Sequence, residues 1–192
     1  MSSKIRFIVS APDRSQWPRD GKPEVVFVGR SNCGKSSLLN KLWSFKVAFV
    51  SSTPGRTSLL NFYAVNEKYR IVDSPGYGFA KVADTKIGFQ AIREYLNERD
   101  NLRGAVLIMD VRRSWGDEEE VLKDYFNAQG ISWVLVLNKI DKLNRSALQK
   151  QIKTIGEEAE APELRAVSTL KGDGTQDLEK YIYSHFVKGK KR

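Results

Sequence analysis

Residues Gly29-Arg-Ser-Asn-Cys-Gly34-Lys35-Ser36-Ser37 constrain this chain more than any other segment. They fit the pattern G-x-x-x-x-G-K-[ST] in the context that the pattern requires. The short apolar run Glu24-Val-Val-Phe-Val28 precedes them, and Leu38, Leu39 and Leu42 fall on one helical face behind them. A strand, a glycine turn and a helix in that order form a βα unit whose loop can turn successive backbone N–H groups inward. Backed by the positive end of the helix, such a loop cradles a chain of phosphates. Lys35 is expected to reach the β- and γ-phosphates, and the Ser36 hydroxyl to bind Mg²⁺. Cys33 reads as a small residue packed inside the loop.

Strand-like and helix-like segments alternate along the rest of the chain. The expected strands are Val25–Val28, Leu60–Val65, Tyr69–Val72, Ala105–Met109, Ile131–Leu137 and Leu164–Val167. The expected helices are Lys35–Ser44, Thr85–Arg99, Asp117–Ala128 opened by Ser114, Ser146–Glu158 and Gln176–Val187. Asn66-Glu67-Lys68 is a hairpin-length turn, and Lys4–Ser10 is a candidate short strand in a polar lead-in. Short connections between strands and helices predict a mostly parallel sheet with helices on both faces. Ligands of such folds sit beyond the carboxyl ends of the strands, and every motif named here lies just after a strand or in the loop it enters. At 192 residues one α/β domain is expected. It divides into an N-terminal extension at 1–21 packed on or near the domain, the domain at 22–188, and a basic tail at 189–192.

Composition narrows the class further. The formal charge of +9 points to a polyanionic partner, nucleic acid or anionic membrane. The single cysteine excludes an internal disulfide and gives no metal-site spacing. No apolar run approaches the roughly 18 residues of a membrane span, and Phe7-Ile8-Val9 is too short for a signal-peptide core. A cytoplasmic protein is expected.

Three further signals define the chemistry. Asp73-Ser-Pro-Gly76 follows a strand, 38 residues after Lys35, and matches D-x-x-G. Asp73 is expected to hold Mg²⁺ through a water, and the Gly76 amide to donate to a γ-phosphate. Asn138-Lys139-Ile140-Asp141 follows another strand. A carboxylate at Asp141 can accept both N1–H and the 2-amino group of guanine, a donor pair that adenine lacks. Lys139 would cover the base, and Asn138 would tie this loop to the phosphate loop. Ser168-Thr169-Leu170 follows the last strand, where a backbone N–H can meet guanine O6. Between the phosphate loop and Asp73 lies Pro54-Gly55-Arg56-Thr57, in which Thr57, with Thr53 second, could complete the Mg²⁺ shell.

Taken together, Gly29–Ser37, Pro54–Thr57, Leu60-Asn-Phe-Tyr63, Asp73-Ser-Pro-Gly-Tyr-Gly-Phe-Ala-Lys81 and Asp110-Val-Arg-Arg113 resemble the EngB (YihA/YsxC) family of bacterial GTPases, within the translation-factor-like P-loop GTPases. The resemblance covers nearly the whole chain. It departs at Cys33 and at Asn138, where the family often carries Thr. It implies a Ras-like three-layer α/β sandwich. The sheet would have six mostly parallel strands in the order 2-3-1-4-5-6, with strand 2 antiparallel, and about five flanking helices. It also implies GTP, GDP and Mg²⁺ as ligands, a role in large ribosomal subunit assembly, and a requirement in cell division and septation. The nucleotide contacts it implies are Gly29, Arg30, Ser31, Asn32, Cys33, Gly34, Lys35, Ser36, Ser37, Gly55, Arg56, Thr57, Ser58, Leu59, Asp73, Ser74, Pro75, Gly76, Asn138, Lys139, Asp141, Val167, Ser168 and Thr169. Ser36, Thr57 and Asp73 are the metal ligands, and Lys35, Thr57, Gly76 and Asn32 the catalytic set. The large subunit, its rRNA or its proteins are the expected partners of a monomer.

The position that carries a glutamine in Ras-type enzymes is Tyr77, which cannot orient water as an amide does, so intrinsic hydrolysis is expected to be slow. Either a partner supplies the missing group, or Asn32 helps to bind K⁺ beside the phosphates. Asn32 equally suits bracing of its own loop. Tyr77, Phe79 and Lys81 read either as a docking surface or as packing against the sheet. Arg112 and Arg113 read either as rRNA phosphate contacts or as a solvated loop. His185 reads as a helix-surface residue. Two rival functions stay open: a P-loop phosphotransferase, against which Asn138–Asp141 argues, and a membrane- or division-site module anchored by the basic tail.

Overall fold

A strand buried on both faces needs cover on both, and the strand before the phosphate loop is such a strand. Every residue of β2 (Glu24–Gly29) is buried. Val25 and Phe27 join one apolar cluster, with Leu38, Leu39 and Leu42 of α1 (Lys35–Leu42) and Leu178 and Ile182 of α5 (Thr175–Ile182). Val26 and Val28 join the other, with Ile92, Tyr95 and Leu96 of α2 (Val82–Glu98), Leu122 and Phe126 of α3 (Asp117–Ala128), and Ile155 and Ala159 of α4 (Arg145–Ala159). The period-2 alternation of the strand thus divides the protein into three layers. The computed structural model describes residues 4–43, 59–78 and 82–188, with backbone alone for 82–89.

Among the described residues the sheet has seven strands, β1 (Ile5–Ala11), β2, β3 (Leu60–Val65), β4 (Tyr69–Asp73), β5 (Leu102–Asp110), β6 (Trp133–Asn138) and β7 (Leu164–Ala166), in the order β1-β3-β4-β2-β5-β6-β7. The six expected strands keep their expected order, with β3 antiparallel to β4 and β2, β4, β5, β6 and β7 joined in parallel. The expected count of six is corrected by β1, which adds an antiparallel edge to β3. Its alternation was obscured by a bulge between Phe7 and Val9. Ile5 and Phe7 lean on the α1–α5 side, whereas Ile8 and Val9 both lean on the other.

Helix ends depart from expectation in small ways. Gly116, not Ser114, is the N-cap of α3, and the first turn carries Asp117, Glu118, Glu119 and Glu120. Asn144 caps α4 by accepting from the Ala147 amide at 2.9 Å. The last helix is not continuous: α5 ends at Ile182 and a π turn follows over Tyr183–Val187. That turn brings Phe186 over the sheet at Gly104, where a Cβ would lie 2.4 Å from the ring. Among the described residues no helix is long and apolar enough to cross a membrane.

Candidate functional site

Four loops leave the carboxyl ends of β2, β4, β6 and β7 and meet at one edge of the sheet, as a crossover topology dictates. The first is the phosphate loop. Gly34 caps α1 at φ 92°, a backbone that glycine adopts without penalty. Its missing side chain also makes room, since a Cβ there would lie 2.5 Å from Asn138 Nδ2. Asn32 holds φ 67° and is exposed. Cys33 is buried, and burial pushes its thiol up to about 11, so it is an inert packing group.

The loop after β6 is sewn to the phosphate loop and to the loop after β7. Asn138 is fully buried. Its Nδ2 donates to Cys33 O at 3.1 Å. Its Oδ1 accepts from the Lys139 amide at 2.7 Å, the Thr169 amide at 3.2 Å and the Thr169 hydroxyl at 2.8 Å. Lys139, at φ 64°, stretches its Nζ to Asn32 O at 2.6 Å and Asp110 Oδ2 at 3.0 Å. Asp141 Oδ1 accepts from the Ser168 hydroxyl at 2.6 Å, whose oxygen in turn accepts from the Lys171 amide at 3.0 Å. The Ser168 hydroxyl holds the Asp141 carboxyl below its ordinary range. A charged carboxylate positioned by a hydroxyl keeps lone pairs on both oxygens and can accept a pair of donors from a planar ring. Val167 is buried, and its carbonyl accepts from the Ile140 amide at 3.2 Å.

The loop after β4 lies against the phosphate loop. Lys35 Nζ pairs with Asp73 Oδ1 and donates to Ser74 O at 2.6 Å. Both side chains are over nine-tenths buried, so their charges are neutralised in place. Pro75 and Gly76 follow, and Tyr77 forms an isolated parallel bridge to Arg30. Ser36 is half-buried in the first turn of α1, and Ser37 is exposed. Ser36 and Asp73 supply hydroxyl and carboxylate oxygens, hard donors of the kind that Mg²⁺ takes one or two at a time alongside phosphate oxygens. Gly55, Arg56, Thr57 and Ser58, with Thr53, lie outside the described residues, as do Phe79, Lys81 and the tail. Leu59 directly precedes β3 and is half-buried.

Two readings of side chains change. Tyr77 is 1 % exposed and its hydroxyl donates to Glu119 Oε1 at 3.0 Å, so it packs and does not present a docking surface. Arg112 is neither a free phosphate contact nor a merely solvated residue. It forks onto Asp110 with Nε at 2.9 Å and Nη2 at 2.5 Å. Burial alone would raise the Asp110 pKa, but the hydrogen bonds from Arg112 and Lys139 outweigh it and hold the carboxyl far below its ordinary range. Asp110 thereby anchors Lys139. The Arg113 carbonyl accepts from Gln151 Nε2 at 2.9 Å while the residue stays exposed. His185 is exposed and stacks on Tyr181 at 4.1 Å. Sequence reasoning missed Glu119 altogether, because an acid in a first helical turn reads as a dipole complement, and nothing local marks it as buried.

A protein of Bdellovibrio bacteriovorus named "Probable GTP-binding protein EngB" is 41 % identical over 190 residues, which span 98 % of this chain and 95 % of that one. The chain belongs to the EngB family of GTP-binding proteins. The EngB protein of Solibacter usitatus is 40 % identical over 183 residues, 92 % of this chain and 93 % of its own. A family profile described as 50S ribosome-binding GTPase matches residues 24–139, from β2 to the loop after β6. Membership makes this EngB-family chain a GTPase. Among solved structures, a probable GTP-binding protein engB superposes with a TM-score of 0.72 at 24 % identity, over 85 % of this chain and 98 % of that one. Era of Aquifex aeolicus bound to GDP and AlF4⁻ superposes with a TM-score of 0.67 at 26 % identity, over 85 % of this chain and 56 % of that one. The Ras-like P-loop architecture expected from the motifs is therefore the fold of this chain.

Proposed function

We propose that this protein is a cytoplasmic GTP/GDP switch with slow intrinsic hydrolysis that acts in assembly of the large ribosomal subunit and is needed for normal division and septation. The observation that carries the nucleotide part is the clamp around Asp141. Ser168 orients its carboxylate, and Asn138 and Lys139 tie the same loop to the phosphate loop at Cys33 and Asn32. The base loop and phosphate loop are thus one rigid frame, which suits a guanine and a phosphate chain on one ligand. In this reading Lys35 would leave Asp73 for the β- and γ-phosphates, and Ser36, Thr57 and Asp73 would hold Mg²⁺, which would neutralise charge on the phosphates. The Gly76 amide would donate to the γ-phosphate. Slow turnover is supported by Tyr77, whose hydroxyl is spent on Glu119 and whose ring is buried. A partner, or K⁺ bound with help from Asn32, would supply the missing stabilisation.

The ribosomal part rests on the description of the matching profile and on the +9 charge, which suits a polyanionic particle. Sedimentation with isolated large subunits tests it. Co-sedimentation that needs GTP and weakens with salt is expected. Binding to anionic vesicles with none to the subunit would overturn it in favour of a membrane-associated module. Equal hydrolysis rates in Na⁺ and K⁺ would remove Asn32 from the catalytic set.

A further inference from the structure

Glu119 is a buried carboxyl that the nucleotide site does not use. It sits in the first turn of α3, 2 % exposed, and accepts the Tyr77 hydroxyl at 3.0 Å. Tyr77 is clamped by its main chain as well. Its N–H donates to Gly29 O at 3.3 Å, and its carbonyl accepts from the Ser31 amide at 2.8 Å. Arg30, between those two loop residues, reaches the same turn of α3 through Nη1, 2.7 Å from Glu118. The D-x-x-G segment is thus zipped to the phosphate loop, and the zip is tied off on α3.

The consequence falls at Gly76. A Cβ built there would lie 2.9 Å from Ser31 Oγ and 3.1 Å from Ser31 N. Gly76 is thus packed closely against Ser31 of the phosphate loop. In the nucleotide reading the Gly76 amide is the donor that meets a γ-phosphate, and Ser31 is the phosphate-loop residue packed against it. Lys35 is drawn the same way, onto Asp73 and the Ser74 carbonyl. A γ-phosphate received at the Gly76 amide would press on this contact, whereas a diphosphate has no group there.

We propose that Tyr77 and Glu119 form a latch that holds the D-x-x-G segment on the phosphate loop and sets the discrimination between GDP and GTP, Glu119 being a positioning residue that acts through Tyr77. The inference rests on the guanine-nucleotide reading above. When a γ-phosphate opens the latch, Tyr77 lets go of Glu119 and the change is felt in the first turn of α3.

The test is the ratio of dissociation constants for GDP and guanosine 5′-(β,γ-imido)triphosphate, each with Mg²⁺, measured by competition on the full chain. Tyr77→Phe deletes one buried hydrogen bond of the latched form. It is expected to tighten the triphosphate analogue about three- to tenfold and leave GDP unchanged. Glu119→Ala should shift the ratio in the same direction. Glu119→Gln keeps an acceptor at the same place and should restore a ratio near that of the unmutated protein. The double variant Tyr77→Phe, Glu119→Ala should shift it no further than the larger single change, because both remove one contact. Tyr95→Phe, which deletes a like hydrogen bond far from the site, should cost stability and leave the ratio alone. If Tyr77→Phe and Glu119→Ala move both nucleotides by the same factor, or neither, the latch is wrong. If the unmutated protein binds neither nucleotide, the underlying reading falls and takes the latch with it.

Discussion

Two buried tyrosine–glutamate pairs stand at opposite ends of the sheet, and they are built differently. At the amino end Glu24 opens β2 with 0 % exposure. It accepts the Tyr95 hydroxyl at 2.7 Å and two bonds from Arg99, at 2.7 and 2.6 Å, with Arg70 at 3.7 Å behind. Arg99 also donates to Pro18 O at 2.6 Å and lies over the Trp17 ring at 5.8 Å, so the chain before β2 is fastened to the end of α2. At the carboxyl end Glu119 accepts the Tyr77 hydroxyl, but among the described residues no cation lies within ion-pair distance of it. Burial accordingly pushes the Glu119 carboxyl above its ordinary 4.5, with the Tyr77 hydroxyl and the more distant Arg30 charge pulling back. A buried carboxylate with two guanidiniums is fixed. One that faces a hydroxyl and a main-chain N–H, with no cation beside it, is not locked by an ion pair. The amino end is built to hold, and the carboxyl end is left able to exchange partners, as Lys35 and Asp73 must also do.

The comparison can be broken at several strengths. The largest effect is expected at Asp141, in the carboxyl-end machinery. Asp141→Asn replaces an acceptor by a donor toward guanine and should weaken GTP by up to about 10⁴-fold while sparing xanthosine triphosphate. Titration with both nucleotides checks it, and retained GTP affinity would refute the role of Asp141. Next comes Glu24→Leu, which leaves Arg99 buried without its carboxylate, while Arg70 keeps its fork onto Asp20. Urea unfolding should show a loss of about 3–5 kcal/mol, with the nucleotide preference unchanged. A loss under about 1 kcal/mol would mean that the amino end is no stronger than the other.

Smaller effects sharpen the contrast. Tyr95→Phe should cost about 1–2 kcal/mol of stability, because it strips one bond from a buried charge. Tyr77→Phe should cost less, its main effect being the shift in nucleotide ratio described above. The smallest effect is on pH. Glu119 has a folded pKa raised above 4.5 by burial, so its contribution to stability is full below 4.5 and is lost as pH rises through the folded value. The groups facing it are Tyr77, Arg30 and Glu118. Glu119→Gln should therefore be less stable than the unmutated protein at pH 4, relative to its standing at pH 7. Asp141 has the opposite sign. Its lowered pKa gives stability that is present above its ordinary 3.8 and lost as pH falls through the folded value. Unfolding curves of the two variants, Glu119→Gln and Asp141→Asn, between pH 3 and 8 should diverge from the unmutated protein in opposite directions.

Most of the sheet was legible because its signals are local. The continuous apolar run at Ala105–Met109 can only be a strand covered on both faces, and it lies within β5. Asn66-Glu67-Lys68 is short enough to force Leu60–Val65 and Tyr69–Val72 into an antiparallel pair, and they are one. The bulged first strand and the π turn after Ile182 were less legible, because each breaks the period that would reveal it.

The sequence by itself determined the βα order, and with it the carboxyl edge where Gly29–Ser37, Asp73–Gly76, Asn138–Asp141 and Ser168–Thr169 come together. Glycine, strand period and motif spacing are properties of neighbours in the chain, so they can be read there. What only the tertiary structure decided is which buried groups share partners. Asp110 takes both Arg112 and Lys139, Asn138 joins three loops, and Tyr77 goes to Glu119, 42 residues away. Whether a carboxylate is neutralised or left with a hydroxyl depends on what the packed helices bring to it. Packing joins residues far apart in the chain, and no local pattern records that distance.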